Sequence, residues 1–211
     1  MRVLIACEYS GQVRRAFRAL GHEAVSCDLL PADDESPFHH QGDVRPLLGA
    51  GWDLMVAHPS CTYLTGAGLH WNRRDPARDA LSEQALAFVA LLLAAPIPRI
   101  ALENPVGYIS TRIRKPDQII QPYEFGDDAS KRTCLWLKGL PKLALDPASR
   151  CPGRLVTKVG GGCVERWANQ TDSGQNRLPP SDDRWKLRSE TYPGIAAAMA
   201  AQWGGRTPLP H

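Results

Sequence analysis

The sequence predicts an α/β fold with a doubly wound, mainly parallel sheet, and three observations carry that expectation. Short apolar runs at residues 2–6, 52–57 and 99–102 stop at polar or proline-marked turns. Runs of this length and character suit strands covered on both faces. Helix-forming segments at residues 12–20 and 81–95 lie between them, in the strand–helix–strand alternation of a parallel sheet. Finally, 211 residues at 43% hydrophobic content can build one such domain with a modest appendage, but not two full domains.

Taken in order, residues 2–6 read as a first strand and residues 12–20 as a helix closed by Gly21. A second strand spans residues 23–26 and ends at Cys27-Asp28. A polar, proline-containing loop covers residues 31–41, and a helix-like turn sits near residues 46–50. The next strand runs into Pro59-Ser60-Cys61, followed by a long loop to about Arg78. The helix of residues 81–95 then leads to a strand stopped at Glu103-Asn104-Pro105. Beyond it the pattern loosens, with one further strand at Thr133-Cys134-Leu135-Trp136-Leu137. Residues 138–184 are rich in Gly, Pro and charge, and Gly160-Gly161-Gly162 reads as a joint. Order returns in an alanine-rich helix ending at Trp203. The division is therefore 1–137 plus 185–205 as the α/β domain, 138–184 as a small basic insert, and 206–211 as a tail.

Strand, crossover helix and strand place Cys61 and Glu103 on one edge of the sheet, where open α/β folds bind ligands. A thiol and a carboxyl over one pocket suit attack on an electron-poor ring, the carboxyl protonating a ring nitrogen. Taken singly, a cysteine is usually a small buried hydrophobe and a glutamate a cap or surface charge. The turn Cys7-Glu8-Tyr9-Ser10-Gly11 lets a cofactor approach the backbone, and Asp28 ends strand two, where an acid commonly takes ribose hydroxyls. Asp43 stands near the following strand end; each acid singly also reads as a cap or turn residue.

Charge is uneven. Residues 1–110 carry 9 Lys and Arg against 12 Asp and Glu, whereas residues 111–190 carry 15 against 10. A basic second half fits a polyanion, as it also fits an ordinary solvated surface. The run Thr111-Arg112-Ile113-Arg114-Lys115 is the densest basic patch, and Trp71, Trp167 and Trp185 are candidates for stacking on bases. Six cysteines stand without a CxxC pair. His39-His40 with Cys151 and Cys163 lack metal-finger spacing, so no metal is expected. The first apolar run is too short for a signal peptide, and no stretch nears the roughly 18 apolar residues of a membrane helix. A cytoplasmic protein with reduced thiols and no membrane partner is the expectation.

Together these residues resemble the DNA (cytosine-5) methyltransferases, in a short form with a reduced target-recognition region. The family's Phe-x-Gly turn looks like Tyr9-Ser10-Gly11, and its Gly-Asp-hydrophobic element looks like Gly42-Asp43-Val44. Its Pro-Pro-Cys loop looks like Pro59-Ser60-Cys61, with Leu64-Thr65 and Ala67-Gly68 at the family's spacing. Its Glu-Asn-Val looks like Glu103-Asn104-Pro105, and its arginine-bearing strand looks like Lys131-Arg132-Thr133. Its late motifs look like Arg177-Leu178-Pro179-Pro180 and Thr191-Tyr192-Pro193-Gly194. Departures are Ser60 for the second proline, Pro105 for valine, and Val13 where the cofactor loop usually has another glycine.

The resemblance implies a Rossmann-like S-adenosylmethionine-dependent methyltransferase fold, with a doubly wound sheet and a small irregular insert. Cys61, Glu103 and Arg132 would be catalytic, with S-adenosylmethionine as the cofactor. Tyr9, Ser10, Gly11, Asp28, Asp43, Pro59, Thr191 and Pro193 would hold that cofactor. Thr65, Asn104, Arg112, Arg114 and Lys131 would meet the substrate, a cytosine in duplex or single-stranded DNA, or in a nucleotide. The short insert leaves room for a homodimer or a recognition partner. Two rivals stand beside this reading: a pyrimidine-modifying enzyme acting on a free nucleotide or transferring another group, and a non-catalytic protein binding S-adenosylmethionine or DNA.

Overall fold

In the computed structural model, residues 1–66, 74–181 and 184–205 are described. Ala67-Gly68, Trp71 and the tail of residues 206–211 lie outside them. A seven-strand sheet runs in the order β3-β2-β1-β4-β5-β7-β6, with β1 at Arg2–Ala6, β2 at Glu23–Asp28 and β3 at His39–Gln41. The other four are β4 at Leu54–Ala57, β5 at Arg99–Pro105, β6 at Gln118–Ile120 and β7 at Thr133–Lys138. The first five strands are mutually parallel, whereas β7 runs antiparallel to both β5 and β6. The arrangement is a mostly parallel α/β sheet, compatible with a Rossmann-like fold.

Both faces are covered. Helix α1 (Gln12–Ala19) and the last helix, α5 (Pro193–Gly204), pack Val13, Phe17, Ile195, Met199 and Trp203 against Val3, Ile5, Val56 and Ala101. Helix α2 (Pro76–Ala94) and the short α3 (Tyr108–Arg112) cover Leu4, Met55, Ile100, Leu102 and Trp136 on the other face. Alternation along each strand therefore sends successive side chains to opposite layers. Helix α2 buries Ser82, Leu86, Val89 and Leu92, one stripe at helical spacing. It begins before residue 81 because the Asp75 side chain accepts the Ala77 and Arg78 N–H groups and Pro76 follows the cap.

Three differences from the sequence expectation bear on the site. Strand β5 continues through Pro105, so Glu103 lies inside it, paired with Leu135, rather than beyond its end. The loop of residues 31–41 ends in β3, a polar strand held by pairing with Ser26, Cys27 and Asp28. The insert contains a hairpin, β8 (Arg154–Thr157) with β9 (Cys163–Arg166), and helix α4 (Arg184–Ser189) follows it. Residues 140–144 pack on the main core: Leu143 is buried, and Trp203 Nε1 donates to the Pro141 carbonyl at 3.0 Å. Among the described residues, no helix is long and apolar enough to cross a membrane.

Candidate active site

Strand order reverses direction at β1, with β2 on one side and β4 on the other. The carboxyl ends of β1 and β4 therefore flank the crevice in which open α/β sheets bind ligands. The turn after β4 is pinned there by the His58 N–H, which donates to the Ala6 carbonyl at 2.9 Å.

His58 also reaches β5. Its Nδ1 lies 3.1 Å from Glu103 Oε2, and the two side chains are only 8% and 10% exposed. Glu103 opens onto a small cleft lined by Lys131, Thr133, Thr191, Tyr192 and Ile195. Burial alone pushes the Glu103 carboxyl up. The His58 hydrogen bond and the Lys131 charge outweigh it and hold the group below the ordinary carboxylate value.

The Cys61 loop is fastened to the chain leaving β5. Leu64 and Thr65 N–H groups turn back onto the Cys61 carbonyl at 3.0 and 3.1 Å. Gly66 N–H donates to the Val106 carbonyl and Tyr108 N–H to the Leu64 carbonyl, with Thr65 bridged to Gly107. A Cβ on Gly107 would lie 1.9 Å from the Leu64 oxygen, so only glycine admits this approach. At the loop's base, Asn104 Nδ2 donates to the Pro59 carbonyl at 2.7 Å.

Burial raises the Cys61 thiol above its ordinary value, and the negative charge of Glu103 adds to the rise. Lys131 and Arg188 pull it back. By contrast, Cys7 is pushed up to about 12, and Cys27 and Cys134 to about 11, mainly by burial. Those three thiols are inert packing groups at neutral pH.

At the first turn, Cys7 adopts φ 59°, a left-handed conformation that is unusual for a non-glycine residue. Glu8 is buried and caps α1, accepting Val13 N–H at 2.6 Å and Arg14 N–H at 3.3 Å. Tyr9 lies beneath α4: its hydroxyl meets the Lys186 carbonyl and Ser189 Oγ, and its ring lies 6.2 Å from that of Trp185. Ser10 is buried, its carbonyl accepting from Arg15. Gly11 has φ 69°, and a Cβ there would lie 2.3 Å from the Arg14 guanidinium. Asp28 accepts the Leu30 N–H, its carboxyl raised by burial. Asp43 is engaged by the Arg45 backbone and side chain.

The edge gathers Cys61, Pro59, Glu103, Asn104, Lys131 and Thr191; Pro193 serves as the first residue of α5. Lys131 and Thr133 line the Glu103 cleft and Arg132 does not, because alternation into β7 turns it away. Arg112 is tied to Glu83 of α2, and Arg114 to Asp117 and the Leu137 carbonyl. Leu137 lies two residues along β7 from Leu135, the partner of Glu103, about 7 Å by strand rise. Trp167 is stacked on Tyr123, rings 3.9 Å apart, while Trp185 is exposed beside Tyr9. His39 is held by Ser26 and the Leu30 carbonyl. Among the described residues, no cluster of three or more His, Cys, Asp or Glu could hold a metal ion.

Sequence reasoning missed His58. Its signal was a histidine between an apolar run and Pro59, but the partner lies 45 residues away. Two buried polar atoms at this edge have no partner, His58 Nε2 and Asn104 Oδ1. Unpaired buried groups of this kind mark places where a ligand or water completes the bonding. No protein-family model matches the chain, and no curated protein matches it.

Proposed function

We propose that this chain is a DNA (cytosine-5) methyltransferase-like enzyme, working through a covalent adduct at Cys61. One observation carries the reading. The Cys61 loop and Glu103 stand on adjacent parallel strands, with the carboxylate held by His58 in a buried, charge-balanced site.

Resting charges give the proton count that such a reaction needs. The raised Cys61 is a thiol and the lowered Glu103 a carboxylate, so the pair holds one proton. The thiol proton passes to Glu103 and from there to ring nitrogen 3 of a flipped-out cytosine. Sulfur bonds to carbon 6 as it goes, and the displaced electrons make carbon 5 an enamine nucleophile. Lys131, on the same cleft, balances Glu103 when it is ionised. Water takes the carbon-5 proton; the Cys61 sulfur then leaves carbon 6 as nitrogen 3 returns its proton through Glu103, which regenerates the ring and the thiol.

Bound S-adenosylmethionine supplies the electrophilic methyl group. The strand-end carboxylate of Asp28 and the backbone of residues 8–11 fit such a cofactor, placed as they are at the β2 and β1 ends. Thr191 lines the Glu103 cleft.

Mass spectrometry of nucleosides from DNA of cells expressing the protein tests the reading. The wild type should yield 5-methylcytosine and Cys61→Ala none. Unmodified DNA beside a modified free deoxycytidine nucleotide would move the assignment to a nucleotide-modifying enzyme. A different mass on the base would change the group transferred.

A further inference from the structure

Apart from the Glu103 cleft, the insert holds a depression of about 520 Å³ lined by Arg154, Arg166, Arg177, Asp128 and residues 152–153. Arg154 on β8 and Arg166 on β9 are direct cross-strand partners. Like charges placed opposite one another weaken a hairpin unless other groups engage them. Neutral carbonyls fasten all three guanidiniums: Arg154 Nη2 and Arg177 Nε donate to Gln170, and Arg166 Nε to Asp172. A carbonyl orients a guanidinium without neutralising it. Two carboxylates stand nearby. Asp172 pairs with Arg154, and Asp128 accepts the Ala168 N–H.

The depression adjoins the strand edge. Asn169 exchanges hydrogen bonds with both the N–H and carbonyl of Ser130, one residue before Lys131. Trp167 is anchored on Tyr123, which holds this loop against the main domain. Arg150 takes no part, being paired with Glu165 and packed over Tyr123 and Trp167.

We propose that Arg154, Arg166 and Arg177 form a cradle for a backbone phosphate of the DNA whose cytosine is attacked by Cys61. Pre-oriented guanidiniums match phosphate oxygens in the bidentate geometry that arginine favours. The inference rests on the proposed cytosine chemistry only for the identity of the polyanion.

Fluorescence anisotropy with labelled mixed-sequence DNA, single-stranded and duplex, across a salt series tests it. Asp172→Asn removes the carboxylate competing for Arg154 and should tighten binding about threefold, a gain that damage to the fold would not produce. Arg177→Gln, which loses a single anchoring bond, should make the duplex salt slope shallower by about 0.9, the value of one released phosphate contact. Unchanged or weaker binding by Asp172→Asn, or an unchanged slope for Arg177→Gln, overturns the cradle. Trapping on DNA containing 5-fluorocytosine separates the two ideas. An adduct with no effect of either charge variant sinks the cradle alone. Affinity that follows both variants with no adduct on any substrate sinks the cytosine chemistry alone.

Discussion

His58 Nδ1 and Glu103 Oε2 meet at 3.1 Å, one from the turn after β4 and the other from within β5. Both are nearly enclosed, so the contact joins two neighbouring strand ends through a buried polar bond. His58→Leu leaves the carboxylate buried without that donor and should cost about 2–3 kcal/mol in urea unfolding at neutral pH. The deficit should shrink as pH falls, because burial without that donor raises Glu103 and lets it protonate. His58→Asn keeps a donor near the Nδ1 position and should recover most of the loss. Equal destabilisation by both substitutions would show that packing, not the bond, matters.

Glu103 and Lys131 push the Cys61 thiol in opposite directions. Glu103→Gln removes the charge that raises Cys61, so more thiolate forms at neutral pH and alkylation by iodoacetamide should accelerate. Lys131→Gln should slow it. Peptide mass spectrometry resolves Cys61 from the other five cysteines, and the same rate for all three proteins would break the electrostatic link.

Gly107 sets the distance between the Cys61 loop and the chain leaving β5. Gly107→Ala must force the Leu64 carbonyl away, at a cost of about 1–3 kcal/mol. Because Cys61 is held through Leu64 and Thr65, adduct formation should fall further than stability alone explains. A variant with normal stability and normal trapping would separate this glycine from the site.

Asp34 braces the first turn by pairing with the buried Arg14 and with Arg15. Partial burial raises its carboxyl, but the two arginines prevail and lower it to about 2 from an ordinary 3.8. The folded value lies below the unfolded one, so this stabilisation is complete above about pH 4 and fades as pH falls through 2. Solvent screening of this largely exposed carboxylate reduces it to about 1 kcal/mol. Asp34→Asn should lose that amount at neutral pH and show a flatter acid limb in thermal unfolding. An unaltered acid limb would assign it to other carboxylates.

Most of the sheet was legible in the sequence because its inner strands are apolar on both faces. The runs at β1, β4 and β5, the helical stripe of α2 and the alanine-rich α5 each carry their own signal. The Cys61 and Glu103 pairing was legible too, since a parallel crossover returns the chain to the same edge. The short strands β3 and β6 and the hairpin β8–β9 were not, because three- and four-residue strands are too short to carry a pattern of their own and are defined by their partners' hydrogen bonds. Tertiary structure alone decided which side chains meet at this edge. Strand alternation put Lys131 rather than Arg132 on the cleft, and the Arg45 contacts engaged Asp43. Contact across 45 residues joined His58 to Glu103. Periodicity reports which face a residue occupies within its own element; which groups converge from different elements depends on register and packing between them.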